Sequence, residues 1–161
     1  MLDFKIRNVI EEDFLKIYEI GEYCSPMINE RKSIYHIFTK FFKQTSLVFE
    51  DNGEIKGFLL GFISQEDPED SYIHLLCINN DLRGQNLGSN LVDEFIKIVS
   101  SYGCRKVFLI CKPFNKVAIK FYTKIGFLSL ESDETTKIDG FNVFKNYDGP
   151  NDDKIVFFKD I

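Results

Sequence analysis

The period of the apolar residues changes along this chain, and that change restricts its fold more than any other feature. A short alternating strand is expected at 4–7, followed by amphipathic helices at 11–23 and 33–43, the second capped by Ser33. From residue 46 onward the apolar period becomes that of strands. The residues expected to point inward from the second helix are Ile34, Ile37, Phe38, Phe41 and Phe42.

The rest of the chain alternates between strand and helix signals. Strands at 46–50 and 55–64 flank Asn52-Gly53, a pair that supplies the positive φ angles of a hairpin turn. Further strands are predicted at 72–79, 106–111, 127–130 and 152–159, helices from the turn at 83–88 to about 102 and at 115–124, and a polar loop over 131–152. This order indicates an α/β (α+β) domain with a mixed sheet, and the length of 161 residues predicts one domain over 1–161.

Charge and composition exclude several functions. A net charge of −5 argues against a nucleic-acid partner. No stretch is apolar enough to span a membrane, and the N-terminus lacks a secretory signal, so we expect a cytoplasmic protein. The cysteines form no C-x-x-C pair and are accompanied by only two histidines, which argues against a metal site. We expect these cysteines to be reduced and mostly buried: Cys24, Cys77, Cys104 and Cys111.

A glycine-containing turn connects a predicted buried strand to an amphipathic helix. It runs Arg83-Gly84-Gln85-Asn86-Leu87-Gly88-Ser89. A helix N-terminus offers unpaired N–H groups and partial positive charge, which together can hold a pyrophosphate. Gly84 and Gly88 allow close backbone approach, and Asn86 tolerates a positive φ. The spacing matches neither a P-loop nor a Rossmann fingerprint, and an ordinary strand–helix turn is the alternative.

Two segments of this sequence resemble motifs of the GNAT superfamily of N-acetyltransferases, and they occur in the same order along the chain as in that superfamily. The segment Arg83–Gly88 is similar to [Q/R]-x-x-G-x-[G/A], with Asn86 standing where a glycine is expected. The segment Asn115–Phe127 is similar to N-x-x-A-x-x-x-Y-x-x-x-G-F, and every fixed position matches. Taken alone, the second motif also fits a core stripe on one helix face, capped by Asn115 and including Tyr122.

The resemblance implies a fold and a donor substrate. The fold is a mixed, mostly antiparallel central sheet of six to seven strands flanked by about four helices, with acetyl-CoA in the cleft between the fourth and fifth strands. Acetyl-CoA would be the acyl donor, with no metal. The residues implied to contact it are Leu76, Cys77, Ile78, Arg83, Gly84, Gln85, Asn86, Leu87, Gly88, Ser89, Asn115 and Tyr122.

Amine acylation needs a base for the ammonium, donors for the oxyanion and an acid for the thiolate. The resemblance implies Tyr122 as the acid and a backbone N–H near Cys77–Ile78 as the donor. The Glu of many family members is missing, because Ile110 occupies its neighbourhood. His74 is the candidate base, since it matches a strand histidine of the serotonin N-acetyltransferase branch and has a suitable ordinary pKa. A structural histidine and proton transfer through waters are alternatives, and an acylated Cys77 is disfavoured.

The sequence therefore predicts acetyl transfer from acetyl-CoA directly to a primary amine of a small molecule or peptide. A weakly catalytic acyl-CoA-binding module and transfer of a longer acyl group are the alternatives, and a homodimer is left open. The amine is expected near 22–32 and 131–150, where acidic residues favour a cationic acceptor. These residues are Glu22, Glu30, Glu131, Asp133, Glu134 and Asp139.

Overall fold

The computed structural model describes residues 4–27 and 30–161, and the chain divides into two compact units, Met1–Cys104 and Arg105–Ile161. In the first unit, four antiparallel strands lie in the order β1-β2-β3-β4. Two 3₁₀ turns, Glu11–Asp13 and Asn80–Leu82, precede α1 and the glycine-containing turn. The elements are β1 (Phe4–Asn8), α1 (Phe14–Glu22), α2 (Lys32–Phe41), β2 (Leu47–Asp51), β3 (Glu54–Ile63), β4 (Asp70–Ile78) and α3 (Leu87–Ser101).

The strands of the first unit carry apolar residues on both faces because helices cover both. Leu60 of β3 packs into a cluster with Ile17 of α1 and Phe38 of α2. On the next residue, Gly61, an added Cβ would lie 2.5 Å from the Phe95 ring of α3. Neighbouring residues of a strand point to opposite faces, so α3 lies on the face opposite to α1 and α2.

The hairpin between β2 and β3 confirms the predicted turn. Asn52 and Gly53 both have positive φ, 50° and 79°, and Asp51 pairs with Glu54. The two-residue loop therefore has the left-handed backbone that Asn-Gly favours.

The second helix differs from its prediction. It begins at Lys32 with Arg31 as its N-cap residue, so Ser33 lies inside the helix rather than capping it. Its buried residues are Tyr35, Phe38 and Thr39, whereas Ile37 is 42% and Phe41 71% exposed. The prediction that these two point inward was wrong, because they lie four residues apart on the side of the helix that faces away from the buried Tyr35 and Thr39.

In the second unit, β9 lies between β5 and β6 and is antiparallel to both. A hairpin of β7 and β8 interrupts the region predicted to be a loop. Its signal was Asp139-Gly140, which has φ values of 51° and 85° and is flanked by short β-favouring runs. The elements are β5 (Lys106–Cys111), α4 (Lys116–Lys124), β6 (Leu128–Ser129), β7 (Thr135–Ile138), β8 (Phe141–Phe144) and β9 (Ile155–Asp160).

The expected fold class is confirmed: a mixed α/β architecture with mainly antiparallel strands and four α-helices in the described part of the chain. The two main strand groups contribute four and three strands, which agrees with the predicted six to seven. One acyltransferase domain over 1–161 stays a prediction. Within the described ranges, no helix combines the length and apolar character needed to cross a membrane.

The cysteines are buried as expected, but two of them are not reduced. Cys24, which follows α1, forms a disulfide with Cys77 of β4, and their Cα atoms lie 6.0 Å apart. The expectation of four reduced thiols was therefore wrong for this pair. The partners are 53 residues apart in the chain, and only the packing of the α1 end against β4 brings them together. Cys104 and Cys111 are free and buried.

Candidate functional site

The turn before α3 has the backbone expected of an anion-binding loop. Gly84 has a φ of 83° and Asn86 a φ of 61°, which confirms the left-handed conformation predicted for Asn86. The Asn86 side chain makes no capping hydrogen bond in the described structure, while its carbonyl accepts from Asn90 N at 3.0 Å and from Ser89 Oγ at 2.7 Å. An added Cβ at Gly84 would meet nothing within 4 Å, so there is open space beside the turn. Backbone N–H groups at the start of a 15-residue helix suit a pyrophosphate.

The first residue of this turn is anchored to the strand that precedes it. Arg83 Nε donates to the Ile78 carbonyl at 3.2 Å, and Arg83 Nη2 lies 3.6 Å from Cys24 Sγ. The Arg83 side chain therefore fixes the turn against the end of β4. Direct contact of Arg83 with acetyl-CoA stays a prediction. The same holds for the other residues expected to contact it in this unit: Leu76, Cys77, Ile78, Gly84, Gln85, Asn86, Leu87, Gly88 and Ser89.

A β-bulge in β4 sets the direction of the candidate base. Leu60 of β3 pairs with Leu75, and the next residue, Gly61, pairs with Ile73, so His74 is the extra residue. A bulge changes which face the following residues present. As a result, His74 and Leu75 both face α1 and α2: the His74 ring stacks on Phe38 at 5.1 Å with an interplanar angle of 6°.

His74 lies beside a carboxylate that sequence analysis assigned only to a general acidic surface. Its Nε2 is 3.2 Å from Glu30 Oε1, and each side chain is 27% exposed. The pKa of His74 is lowered, chiefly because burial disfavours the charged ring, while Glu30 opposes that effect. Nε2 itself is buried and has no well-aligned hydrogen bond among the described residues, so the contact is mainly electrostatic.

Glu30 is held by the most deeply buried tyrosine of this unit. A backbone hydrogen bond links Glu30 to the Tyr35 hydroxyl, whose pKa is raised by burial. The Tyr35 ring is fully buried and packs edge-on against Phe58, with ring centroids 6.1 Å apart. Glu30 is thus fixed at the position that brings its carboxylate to His74.

The second motif lies in the second unit and forms a capped helix. Asn115 Oδ1 accepts from Ala118 N at 3.1 Å, which makes Asn115 the N-cap of α4. Gly126, with a φ of 92°, ends the helix, and the buried Tyr122 packs against Phe127 at 5.5 Å. The local geometry therefore fits the packing interpretation of this motif. The role of Tyr122 as acid and a contact of Asn115 with acetyl-CoA stay predictions.

Other groups named from the sequence are committed to protein contacts. Cys77 is bonded to Cys24, so it offers no free thiol for acyl transfer. Glu22 accepts from Tyr18 at 2.8 Å, and Asp139 pairs with Lys116 at 2.8 Å. Within residues 4–27 and 30–161, no three His, Cys, Asp or Glu side chains gather in a way that could hold a metal ion.

Comparison with known proteins identifies the class to which this chain belongs. Residues 8–127 match the family described as "Acetyltransferase (GNAT) family", which includes both motifs. The chain is therefore a member of the GNAT acetyltransferase family.

Two curated relatives show how this member relates to others. Over 92 residues it is 25% identical to the L-2,4-diaminobutyric acid acetyltransferase of Wolinella succinogenes, a match that covers 57% of this chain and 53% of that protein. Over 136 residues it is 30% identical to an uncharacterized N-acetyltransferase of Methanocaldococcus jannaschii, a match that covers 77% of this chain and 60% of that protein. The chain spans about half the length of the diaminobutyric acid acetyltransferases that it matches.

Solved structures share the fold along nearly the whole chain. Ard1 from Thermoplasma volcanium superposes with a TM-score of 0.79 at 20% identity, covering 98% of this chain and 97% of that one. A second structure is the diaminobutyrate acetyltransferase of Paenibacillus lautus, solved with L-2,4-diaminobutyric acid and coenzyme A. It superposes with a TM-score of 0.77 at 16% identity, and the match covers 98% of this chain and 95% of that one. At these identities the likeness concerns the fold.

Proposed function

We propose that this chain transfers an acetyl group from acetyl-CoA directly to a primary amine. The observation that carries the proposal is the turn 83–89, which combines a left-handed backbone at Gly84 and Asn86 with the start of a long helix inside the family match. These features suit the pyrophosphate of a coenzyme A thioester. The thioester is a substrate, and its coenzyme A leaves as product.

The proposed reaction breaks one C–S bond, forms one C–N bond and removes two protons from the acceptor nitrogen. His74 accepts a proton from the acceptor ammonium, and the neutral nitrogen forms a bond to the thioester carbonyl carbon. A backbone N–H near Cys77–Ile78 stabilises the oxyanion. The C–S bond then breaks, and the leaving thiolate takes the hydroxyl proton of Tyr122. The nitrogen, positively charged after the attack, releases its second proton through solvent to the Tyr122 oxygen, and His74 returns its proton to solvent.

The acceptor class is proposed as a small molecule or a peptide with a primary amine. Relatives named for L-2,4-diaminobutyric acid favour a small diamine, whereas a structural neighbour, Naa50 of Arabidopsis thaliana, was solved with a peptide bisubstrate analogue. The carboxylate of Glu30 near His74 favours an acceptor that arrives as a cation. A cytoplasmic location and the absence of nucleic-acid and membrane partners remain predictions, and the oligomeric state stays open.

An amine panel with acetyl-CoA tests this proposal. The panel contains L-2,4-diaminobutyric acid, polyamines, aminoglycosides and short peptides, with free coenzyme A followed by a thiol reagent and the product by mass spectrometry. We expect acetylated product and stoichiometric coenzyme A from at least one cationic amine. Binding of acetyl-CoA without product from any amine would favour a weakly catalytic acyl-CoA-binding module. Turnover with a longer acyl-CoA but not with acetyl-CoA would favour transfer of a longer acyl group.

A further inference from the structure

We propose that Glu30 is a positioning residue for His74: it selects the ring tautomer and stabilises the protonated ring when His74 takes the acceptor's proton. This inference rests on the proposed acetyl transfer. Its basis is the 3.2 Å contact between Glu30 Oε1 and His74 Nε2 at a β-bulge. Nothing in the two motifs points to Glu30.

The contact determines which nitrogen can act as the base. A carboxylate beside Nε2 favours a proton on that atom, because the negative charge attracts an N–H group and repels a nitrogen lone pair. Nε2 is itself buried. The neutral ring therefore offers its lone pair on Nδ1. Once Nδ1 takes a proton, the ring becomes a cation and Glu30 lies beside it as a counter-charge.

The surrounding elements leave Glu30 as the charge that acts on this ring. From α2, the ring facing His74 is Phe38, and on β4 the Tyr72 ring lies 6.5 Å away. In the described part of the first unit, Glu30 is the charged group that shifts the pKa of His74. The cations of α2 are engaged elsewhere: Lys32 lies over Tyr18, and His36 and Lys40 pair with Glu11.

A purely structural ion pair explains the geometry less well. Burial lowers the pKa of His74, which favours the neutral ring, and a neutral ring gives Glu30 no positive charge to pair with. The extra residue of the bulge also turns His74 toward the partly open α1–α2 side instead of the opposite face. The backbone of Glu30 is bonded to the buried Tyr35, and its carboxylate lies beside a neutral, partly exposed ring, which suits a group that gains its charge during a reaction.

The test compares Glu30→Gln, Glu30→Asp and His74→Gln by the pH dependence of kcat/KM with the best amine. Activity requires neutral His74, so kcat/KM rises with pH through its pKa and then levels off. Removing the carboxylate removes an effect that raises this pKa. In E30Q we therefore expect the acidic limb to move to lower pH and the plateau to fall about tenfold to a hundredfold. E30D keeps the negative charge, so we expect it to restore in part both the position of the acidic limb and the height of the plateau.

Two controls separate positioning from folding. Glu19→Gln removes an exposed carboxylate that pairs with Lys16 on α1, and should leave the limb in place. The double variant E30Q/H74Q should be no slower than H74Q, because two residues that act as a unit are not additive. An unmoved limb in E30Q, or a full additional loss in the double variant, would overturn the inference while leaving acetyl transfer intact.

A measurement independent of turnover completes the test. Imidazole NMR signals of the two histidines are titrated in the parent and in E30Q, with H74Q assigning the signals. The His74 pKa should fall in E30Q, and the signals of His36, which pairs with Glu11, serve as the reference in the same spectra. An unshifted His74 would overturn the pairing. If the parent binds acetyl-CoA but acetylates no amine, the proposed function fails on its own evidence, whatever the titration gives.

Discussion

The turn at 83–89 and the surroundings of His74 belong to the same unit but are built in different ways. The turn is local: seven consecutive residues set the φ angles and the helix start that suit a pyrophosphate. The His74 site is assembled from distant segments, with Glu30 before α2, Phe38 within it and the bulge in β4. A local site can be recognised from sequence, whereas a site assembled by packing depends on the three-dimensional structure.

The largest effect expected outside the His74 site concerns Tyr122, which belongs to the other local motif. Tyr122→Phe removes only the hydroxyl, so acetyl-CoA binding should survive while turnover falls by about 10²–10⁴, the range for a general acid. Steady-state kinetics with the best amine measure this. Tyr102→Phe, an exposed tyrosine outside both segments expected to meet the amine, is the matched control.

The result decides whether the second motif has a chemical role beyond the packing seen around Tyr122. Turnover in Y122F within about threefold of the parent would mean that water or another group protonates the thiolate.

The assembled region also contains the disulfide, which yields the next largest effect. Cys24 and Cys77 close a chain separation of 53 residues, so the chain-entropy estimate of the cross-link is about 4 kcal/mol of unfolding free energy. Reductant should lower the denaturant midpoint of the oxidised parent and leave that of C24S/C77S unchanged. Cys104→Ser, which alters a buried free thiol, should remain sensitive to reductant.

Alkylation followed by mass spectrometry provides the direct check. The oxidised, denatured parent should expose two alkylatable thiols before reduction and four after it, from Cys104 and Cys111 alone and then from all four cysteines. Four thiols in the protein purified without reductant would contradict the disulfide.

Local features could be predicted from the sequence, whereas features assembled from distant segments could not. The Asn52-Gly53 hairpin, the left-handed Asn86 and the Asn115 cap were predictable because each depends on a few neighbouring residues. The inward face of α2 was not, because helical spacing alone left several apolar residues competing for burial, and packing against the sheet favoured Tyr35 and Phe38.

The remaining errors also have physical causes. The disulfide and the Glu30–His74 contact depend on how α1 and the segment before α2 pack on β4, which no short-range pattern encodes. The hairpin of β7 and β8 was predictable in principle from Asp139-Gly140, but its strands are only four residues long and partly polar.

A smaller effect concerns charge on the acceptor. If the acidic residues of the segments 22–32 and 131–150 attract a cation, kcat/KM for a cationic amine should fall as salt rises, because the Debye length shrinks from about 10 Å at 0.1 M to about 3 Å at 1 M. The apparent affinity for acetyl-CoA should change less, since its contacts are expected to be backbone groups. Equal activity on neutral amines with no salt dependence would leave the carboxylates as solvated surface.

Binding of acetyl-CoA, measured by calorimetry in the parent, Gly88→Glu and His74→Gln, tests the central claim most directly. The account predicts that G88E loses binding, through steric clash and repulsion of the pyrophosphate. It also predicts that H74Q binds within about twofold of the parent, because the proposed pyrophosphate contacts lie in the turn 83–89 and His74 contacts Glu30 and Phe38. At about 100 times its dissociation constant, acetyl-CoA should add about 2.7 kcal/mol of stability to the parent and H74Q but not to G88E. Undiminished binding in G88E would contradict the assignment of the turn, and lost binding in a folded H74Q would contradict the separation of the two sites.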